Sequence, residues 1–458
     1  MVTYANAPVN TATSLLPLRR ARYALAERDV TAMHLTMSAL AVVEACKADI
    51  NAFSVVAAET ALTAAAESDR RYASGRARLL EGLPIAVKDM IDTEGVETRY
   101  GSAAYRGHVP MADAEAVRRL RRAGAIIVGK TTTHEFAWGV TTRSRAFGDT
   151  LNPLDRTRIP GGSSGGGAAA VAYGAIAGGL GTDTGGSVRI PAAFCGCVGF
   201  KPTLGMLPTA GVFPLAPTLD HIGLIGASVD DVVVMAEAFG IRTSNNEGRG
   251  TCSLGVIRTI PPVPLSQEVG AAFDRAVAAL DDGFAAEVCC VDALFEDLFA
   301  AFAGIVLAEA GMAHLARHGA AMIADTYEAE TVERLNRARS ATLDDYAWHQ
   351  ERRRRFRTAL INLMSKTDYL VLPTCPCLPP KVNEGAIAIG PWSGDIREAA
   401  MTYTAPFNLA GFPAISIPLK SPGQALPAAL QIVARPGEDG KLLSIAQKIE
   451  AIVGATMP

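Results

Sequence analysis

Two glycine-rich loops that carry serine are the segments of this chain best suited to chemistry. Residues 161–165 read GGSSG and residues 182–187 read TDTGGS. Glycine permits unusual backbone angles and lets main-chain N–H groups approach a ligand closely. Pro191 is typical of the first turn of a helix, so we expect Ser187 at a helix N-terminus, where amides stabilise an oxyanion. Two such loops around a helix of small residues, predicted over 168–177, indicate a buried structure rather than a flexible linker.

A serine hydroxyl needs a base before it becomes a good nucleophile. No histidine lies close in sequence to either loop, but Lys88 follows the apolar run 83–87. A lysine at the end of a buried strand is costly unless it has a partner or a task. From the residues alone, a salt bridge from Lys88 to Asp89 or Asp92 and a catalytic role are equally good interpretations.

Residues 161–165 also fit G-x-S-x-G, the nucleophile turn of α/β-hydrolases. That fold requires an acid and then a histidine downstream in the chain. His221 is the best-placed histidine, although a histidine in such a position is more often packed in a loop than used as a base.

Two other patterns suggest ligands and have better structural interpretations. Residues 124–131, GAIIVGKT, match the P-loop pattern. The residues between the glycines are apolar and a helix is predicted before them, which favours a helix–turn–strand unit over a nucleotide site. The cysteines of the pairs Cys195/Cys197 and Cys375/Cys377 are separated by one residue, which is not the spacing of structural zinc ligands, so buried thiols are favoured.

Short apolar runs alternate with helical segments over much of the chain, and this predicts an α/β fold with helices on both faces of a sheet. Strands are predicted at 53–56, 83–87, 125–128, 369–372, 414–417 and 429–433. We expect one domain over 1–458, with a mainly helical N-terminal part (1–75), a core that holds both serine loops (76–250), a helical insertion (266–366) and C-terminal strands with a helix (367–458).

Composition indicates a globular protein with no general attraction for polyanions. The 458 residues are 49% hydrophobic and 19% charged, with a net charge of -3. Residues 1–10 lack the features of a secretory signal, and eight cysteines in so long a chain are not a disulfide framework, so we expect a cytoplasmic location. The uncharged segment 161–182 is long enough to span a bilayer, but its Gly, Ala and Ser content favours a packed interior.

Several motifs, in order and spacing, resemble those of the amidase signature family of Ser–Ser–Lys hydrolases. The resemblance extends over nearly the whole chain from about residue 52, and it is loose in the helical segments 1–51 and 266–366. The motifs are GLPIAVKD (82–89), AGAIIVGKT (123–131), FG (147–148), NP (152–153), the long stretch 161–203 and FNLAGFP (407–413).

The resemblance implies α/β/α layers around a mixed, mostly parallel β-sheet and a catalytic Ser–Ser–Lys triad. Ser187 would be the acyl-forming nucleophile, Ser163 the relay, reached through a cis Gly162–Ser163 peptide, and Lys88 the base. Lys88 must then be neutral, which requires its pKa to fall by about three units through burial.

Other positions acquire roles through the same resemblance. Backbone N–H groups of the oxyanion hole would come from Thr184, Gly185 and Gly186. Residues that support the loops would be Gly162, Asp183 and Arg189. The acyl pocket would be lined by Ala137, Trp138 and Gly139. No cofactor and no metal are implied.

The implied function is hydrolysis of C–N amide-type bonds through a serine acyl-enzyme. Small or aryl amides lead, with carbamates (urethanes) and esters also open, and Trp138 favours an aromatic or bulky group. The alternative is the glutaminase subunit of a tRNA-dependent amidotransferase complex, although REAAMTYT (397–404) lacks that subunit's pattern before FNL. The expected partner is a small amide, carbamate or ester, with neither nucleic acid nor membrane, and a homodimer is left open.

Overall fold

The computed structural model describes residues 16–243, 252–281, 283–289, 291–419 and 425–455. The expectation about a secretory signal concerns residues 1–10, which lie outside these ranges. The cytoplasmic location therefore stays a prediction.

The described residues contain an eleven-stranded sheet with the order β1-β3-β2-β4-β6-β5-β12-β13-β9-β7-β8, and a separate β10–β11 pair. Neighbours in β3-β2-β4 and in β9-β7-β8 are parallel, and the other neighbours are antiparallel. The strands are β1 Phe53–Val56, β2 Pro84–Lys88, β3 Ile126–Thr131, β4 Gly178–Asp183, β5 Val198–Lys201, β6 His221–Gly226, β7 Ser253–Val256, β8 Ala285–Val288, β9 Tyr369–Pro373, β10 Ala386–Ile389, β11 Trp392–Asp395, β12 Ala414–Leu419 and β13 Ala428–Val433.

Helices surround this sheet: α3 packs on β3, α7 on β6, α8 on β13 and α16 on β12. The predicted α/β fold with helices around a mixed sheet is confirmed. The helices are α1 Leu18–Ala26, α2 Ala32–Ile50, α3 Ala58–Ala73, α4 Glu115–Ala123, α5 Gly165–Ala172, α6 Arg189–Cys195, α7 Val229–Ala236, α8 Gln267–Leu280, α9 Asp292–Phe295, α10 Leu298–Leu315, α11 Ala320–Thr326, α12 Ala329–Ala338, α13 Leu343–Leu363, α14 Ile396–Thr402, α15 Ala405–Ala410 and α16 Asp439–Ala455.

The segment that matches the P-loop pattern is a helix followed by a strand. Helix α4 ends at Gly124, which has a left-handed φ of 101°, and β3 continues through Lys130 and Thr131. Lys130 is buried and donates a hydrogen bond of 2.7 Å to Thr98 Oγ1. The helix–turn–strand interpretation is confirmed.

Two apolar segments are long enough to span a membrane, and both form helices or strands that pack against the rest of the structure. The uncharged stretch 161–182 divides between α5 and β4, whose residues are all buried except Ala172 at the end of α5. Ala293–Leu315 has a mean hydropathy of 1.7 and is 56% buried. Its main helix, α10, packs against α13, α12 and α15, which accounts for its apolar composition.

Candidate active site

Lys88 is the last residue of β2 and is completely buried. Its Nζ lies 2.7 Å from Ser163 Oγ and 2.7 Å from Thr182 Oγ1. Because β2 runs parallel to β4, their carboxyl ends lie at the same edge of the sheet, which brings Lys88 beside the end of β4. Thr182 was missed by the sequence analysis, since nothing in GGLGTD marks a lysine partner.

The salt bridge considered for Lys88 is made by a different lysine. Asp89 Oδ1 lies 3.9 Å from Lys130 Nζ. In the β2–β3 register Lys130 is paired with Val87, so its side chain shares a face with those of Val87 and Asp89. The side chain of Lys88 points to the opposite face, where hydroxyl groups meet it.

Burial lowers the pKa of Lys88 well below its ordinary value, and this outweighs the carboxylates of Asp183 and Asp220, which raise it. The amine is therefore neutral over a wider range of pH than an exposed lysine. This shift favours the protonation state that a general base requires.

Ser163 is held in the first glycine loop by close packing. The Gly162–Ser163 peptide bond is cis, as the family resemblance implied, and Ser163 is completely buried. A Cβ at Gly162 would lie 2.9 Å from Val140 C, closer than real Cβ atoms approach other atoms, so only glycine fits. Ser164 N donates to Ser187 O at 3.1 Å, and this joins the two serine loops directly.

Ser187 lies between the end of β4 and the start of α6, whose first turn contains Pro191. The predicted position at a helix N-terminus is confirmed. Ser187 is 2% exposed and lines a narrow crevice, and its hydroxyl has no hydrogen-bond partner among the described residues. The hydroxyl is thus not held by a protein partner within the part of the chain that the structure describes. The crevice is lined by Ala137, Trp138, Gly139, Thr184, Gly185, Ser187, Leu215, Phe302, Val306, Arg397 and Met401.

The three residues expected to form an oxyanion hole differ in how their amides are used. Gly186 N donates to Asp183 Oδ1 at 2.8 Å and is therefore occupied. Thr184 and Gly185 line the crevice beside Ser187, and Thr184 is fixed by a 2.7 Å hydrogen bond from its Oγ1 to Asp220 Oδ1. The amides of Thr184 and Gly185 are the better candidates for contact with a substrate oxygen.

Asp183 and Arg189 form a buried ion pair beneath the second loop. Arg189 donates to both oxygens of Asp183, at 2.9 and 3.0 Å, and also to Asn408 Oδ1 and Gln431 Oε1, each at 2.6 Å. Burial raises the pKa of Asp183, but the guanidinium of Arg189 outweighs it and holds that pKa below the ordinary range. The charged carboxylate then anchors the Gly186 amide, which fits the loop-supporting role expected of both residues.

His221 does not serve either serine. It lies in β6, where its Nδ1 is 2.6 Å from Leu219 O, and its Nε2 is 3.4 Å from Lys201 Nζ. Across the described part of the chain, no histidine is hydrogen-bonded to Ser163 or Ser187. The α/β-hydrolase interpretation therefore lacks its base.

The cysteine pairs are small buried groups. Cys195, Cys197 and Cys375 are buried and Cys377 is half-buried. Within the described ranges, no group of three or more His, Cys, Asp or Glu side chains has the arrangement of a metal site.

The crevice walls combine predicted and unforeseen residues. Ala137, Trp138 and Gly139 line it, at the positions that the family resemblance assigned to the acyl pocket. Phe302 of α10 and Arg397 of α14 face them, and both come from segments in which no motif indicates a site. They are more than a hundred residues from either serine in the chain, so only the tertiary fold brings them together.

Comparison with known proteins identifies the family. Residues 34–443 match the Amidase family. The A subunit of the glutamyl-tRNA(Gln) amidotransferase from Symbiobacterium thermophilum is 35% identical over 463 aligned residues, which cover 91% of this chain and 93% of that protein. An amidase of known structure superposes with a TM-score of 0.87 at 31% identity, covering 97% of this chain and all (100%) of that one. The corresponding amidotransferase protein from Thermotoga maritima gives a TM-score of 0.74 at 29% identity, covering 92% and 91%.

These relatives correct one expectation. The sequence analysis expected only a small-molecule partner and no nucleic acid, with a homodimer open. Relatives that are subunits of an enzyme named for glutamyl-tRNA(Gln) contradict this, and the expectation is wrong. Net charge misled the interpretation because it reports the average over a whole surface and does not determine which partners a protein has. With an Amidase match over residues 34–443 and a relative 35% identical over nearly the full length, the chain belongs to the amidase family, enzymes that act on carbon–nitrogen bonds.

Proposed function

We propose that this chain hydrolyses the side-chain amide of glutamine as the amidase subunit of a tRNA-dependent amidotransferase. Ser187 is the nucleophile, Ser163 the relay and Lys88 the base. The observation that carries the chemistry is the 2.7 Å contact between the buried Lys88 amine and Ser163 Oγ. The name of the relatives, at up to 35% identity over nearly full length, supports glutamine as the substrate.

The proposed reaction begins with proton transfer. When substrate binds, the Ser187 hydroxyl turns to contact Ser163. Neutral Lys88 then takes the hydroxyl proton of Ser163 while Ser163 takes that of Ser187, and Ser187 Oγ attacks the amide carbon. The amides of Thr184 and Gly185 stabilise the oxyanion. When the intermediate collapses, the C–N bond breaks, the proton returns through Ser163 to the nitrogen, and ammonia leaves.

The second half of the cycle uses water. The relay accepts a proton from water, whose oxygen attacks the ester of Ser187. The C–O bond to Ser187 breaks, glutamate is released and the serine regains its proton. No cofactor takes part in this sequence.

The test is to purify the tagged chain from its native cells, together with whatever binds it, and supply glutamine labelled at the amide nitrogen. We expect labelled ammonia, and labelled nitrogen on the glutamyl group when glutamyl-tRNA(Gln) is added together with ATP and Mg²⁺ to activate its carboxylate. The Ser187→Ala protein, prepared identically, should give neither. A preparation that hydrolyses simple amides and leaves glutamine intact would overturn the assignment.

A second candidate, hydrolysis of another small or aryl amide, is favoured by the walls of the crevice. Trp138, Phe302 and Met401 make much of the lining apolar, and no carboxylate lines it among the described residues to meet the ammonium group of glutamine. The higher TM-score to an amidase, 0.87 against 0.74, agrees with this. Carbamates and esters would pass through the same acyl-enzyme.

A substrate panel separates the two candidates. Glutamine, anilides, primary amides, carbamates and esters would be compared by kcat/KM with the same preparation. Preference for glutamine supports the amidotransferase assignment, and preference for an anilide supports the second candidate. The Ser187→Ala protein identifies any background hydrolysis.

A further inference from the structure

Trp138 and Arg397 line both the crevice at Ser187 and a larger cavity of about 460 Å³ beside it. The two spaces thus adjoin at these side chains. A substrate with its carbonyl at Ser187 would extend toward Arg397, so this guanidinium is placed to act on specificity.

Arg397 is the charged residue among the described residues of the crevice wall. It lies on α14 one turn before Met401, and side chains four residues apart share a helix face. Its guanidinium is half-buried, lies 5.9 Å from the centre of the Phe299 ring, and has no hydrogen-bond or ion-pair partner in the described part of the chain. Its N–H donors are therefore free to bind a ligand that enters the crevice.

None of the neighbouring carboxylates forms an ion pair with Arg397 within the described ranges. Glu330 pairs with Arg334 and lies 3.6 Å from His134 Nε2. Asp395 accepts the backbone N–H of Arg397, and its residue is exposed. Glu398 lines the cavity but not the crevice.

The cations around Arg397 increase its need for an anion. Burial lowers the pKa of Arg397 to about 10, with Arg334 and Arg337 adding to the effect and Asp395 and Glu330 opposing it. Arg334 differs from Arg397 because Glu330 and the carbonyl of Trp138 already accept its hydrogen bonds. The cavity lining combines Arg334, Arg337 and Arg397 with Asp395 and Glu398, but neither carboxylate makes an ion pair with the Arg397 guanidinium in the described part of the chain.

We propose that Arg397 binds a carboxylate on the acyl side of the substrate and so selects monoamides of dicarboxylic acids over neutral amides. This rests on the proposed C–N hydrolysis at Ser187, and it holds for both candidate functions. A guanidinium pairs with a carboxylate through two parallel hydrogen bonds, which gives both affinity and orientation. The rings of Trp138 and Phe302 exclude water from the crevice and strengthen the pairing.

The experiment compares succinamate, glutaramate and adipamate with butyramide, valeramide and hexanamide, which have the same chain lengths without the charge. We expect a higher kcat/KM for the monoamide of the best length. Arg397→Met should lower that value about 10- to 100-fold, the effect of losing a charge-assisted hydrogen bond, and leave the neutral amides nearly unchanged. Arg397→Lys should give an intermediate value, because it keeps the charge and loses the fork.

Arg337→Met is the matched control, since it removes the same charge from the cavity but not from the crevice. It should leave the ratio of monoamide to neutral amide almost unaltered. Equal loss for charged and neutral substrates in Arg397→Met would overturn the proposal, as would a wild-type preference for neutral amides.

A binding measurement tests the proposed carboxylate site independently of the proposed catalytic function. Glutarate should bind the Ser187→Ala protein, by calorimetry, about 10- to 100-fold more tightly than the Ser187→Ala/Arg397→Met protein. No binding to the Ser187→Ala protein would refute the anion site whatever the activity. Hydrolysis that survives Ser187→Ala would instead refute the proposed function and leave the binding result standing.

Discussion

Lys88 can accept a proton only when it is uncharged, and burial supplies that condition. Burial lowers the pKa of Lys88 well below its ordinary value of 10.5. The neutral fraction of Lys88 in the folded protein therefore rises with pH and reaches its maximum before pH 10.5. We therefore predict that kcat/KM rises with pH through the lowered pKa and then becomes constant before 10.5. Initial rates from pH 5 to 10 would measure this.

The control for the pH profile is Lys88→Met, which fills a similar volume without an amine. It should be at least about 100-fold less active than wild type, the lower range for loss of a general base, with no comparable rise. A wild-type rate that falls steadily from pH 6 to 9, in protein still folded by circular dichroism, would contradict the role of Lys88.

Substitution of Ser187, Ser163 and Ser164, one at a time, distinguishes the nucleophile, the relay and a serine with a structural role. Ser187→Ala should form no acyl-enzyme, because the attacking oxygen is gone. Ser163→Ala should acylate Ser187 slowly, since the nucleophile remains but its path to Lys88 is broken. Ser164→Ala is the control: its Oγ donates to Thr182 O at 3.1 Å and does not contact Lys88, so stability should fall more than rate.

Intact-protein mass spectrometry after a short exposure to an activated ester would score each variant. Acylation of the Ser187→Ala protein at another serine would show that the nucleophile is misassigned. Turnover by Ser163→Ala at the wild-type rate would remove Ser163 from the relay.

At the scale of single residues, Lys88 could be identified from the sequence as a candidate base, but the group that its amine contacts could not. Both Asp89 and the distant hydroxyls were compatible with the residues. The choice depends on which face of β2 each side chain occupies relative to Lys130, and that is set by the β2–β3 register. Only the paired strands contain that information.

Among the elements, α6 depends on the ion pair beneath it. Arg189 is completely buried and joins α6 to the segments that contain Asn408 and Gln431. Arg189→Met should destabilise the protein by about 3–5 kcal/mol, because it leaves the Asp183 carboxylate buried without its charge partner. Urea unfolding at pH 7 measures the free-energy change.

The matched control for this prediction is Arg354→Met on α13. Arg354 pairs with Glu351 on an exposed face, so its loss should leave the unfolding midpoint within experimental error. A loss below about 1 kcal/mol for Arg189→Met, the range of surface pairs, would mean that the buried pair does not hold the loop.

The turn between β4 and α6 accepts only glycine at position 186. Gly186 has a φ of 128°, and a Cβ there would overlap Thr404 Oγ1 and lie 2.7 Å from Ile190 Cδ1. Gly186→Ala should therefore lower both stability and kcat, because either the turn or the neighbouring helix has to move. Thermal unfolding and initial rates on the best substrate would record both effects.

Gly270→Ala is the control, since Gly270 lies in α8 with only Leu265 Cβ near, at 3.9 Å. Alanine inside a helix should stabilise by about 0.5–1 kcal/mol relative to glycine. Wild-type activity and stability in Gly186→Ala would show that the turn is not constrained as described.

Strand β4 shows where prediction of elements from sequence fails. Its residues, GGLGTD, are poor strand formers, and the sequence analysis assigned no strand there. The glycines are required by neighbours: a Cβ at Gly181 would lie 2.8 Å from Val188 Cγ2 and 2.9 Å from Ser164 Oγ. Of the two strands beside it, β2 was predicted because its apolar side chains fill the core, and β6 was missed. Strand β4 is specified instead by the close approach of both serine loops.

On the scale of the whole molecule, the catalytic groups come from one part of the chain, whereas the crevice wall combines that part with residues far along the chain. Lys88 and both serines lie in the 76–250 core, whose motifs could be recognised from sequence. Phe302 and Arg397 lie in or after the helical segment 266–366, where the resemblance is loose. Substrate choice is therefore less predictable from sequence than the reaction, because Phe302 and Arg397 lie outside the motifs that mark the acyl-transfer machinery.

The single-domain prediction can be tested with cysteines that are distributed along the chain. Cys46 of α2, Cys195 of α6 and Cys375 after β9 are buried, and burial raises the pKa of each thiol, that of Cys46 to about 12. Thiolates are the reactive species, so these cysteines should react with iodoacetamide only when the protein opens. If one cooperative unit unfolds, all three should be labelled at the same rate at every urea concentration, with one common dependence on urea.

Peptide mass spectrometry assigns each site, and a free Cys46 analogue peptide under the same conditions gives the rate without protection. Faster labelling of Cys46 than of Cys195 at low urea would show that the N-terminal helices open separately, because sub-global opening exposes only the residues of its own unit.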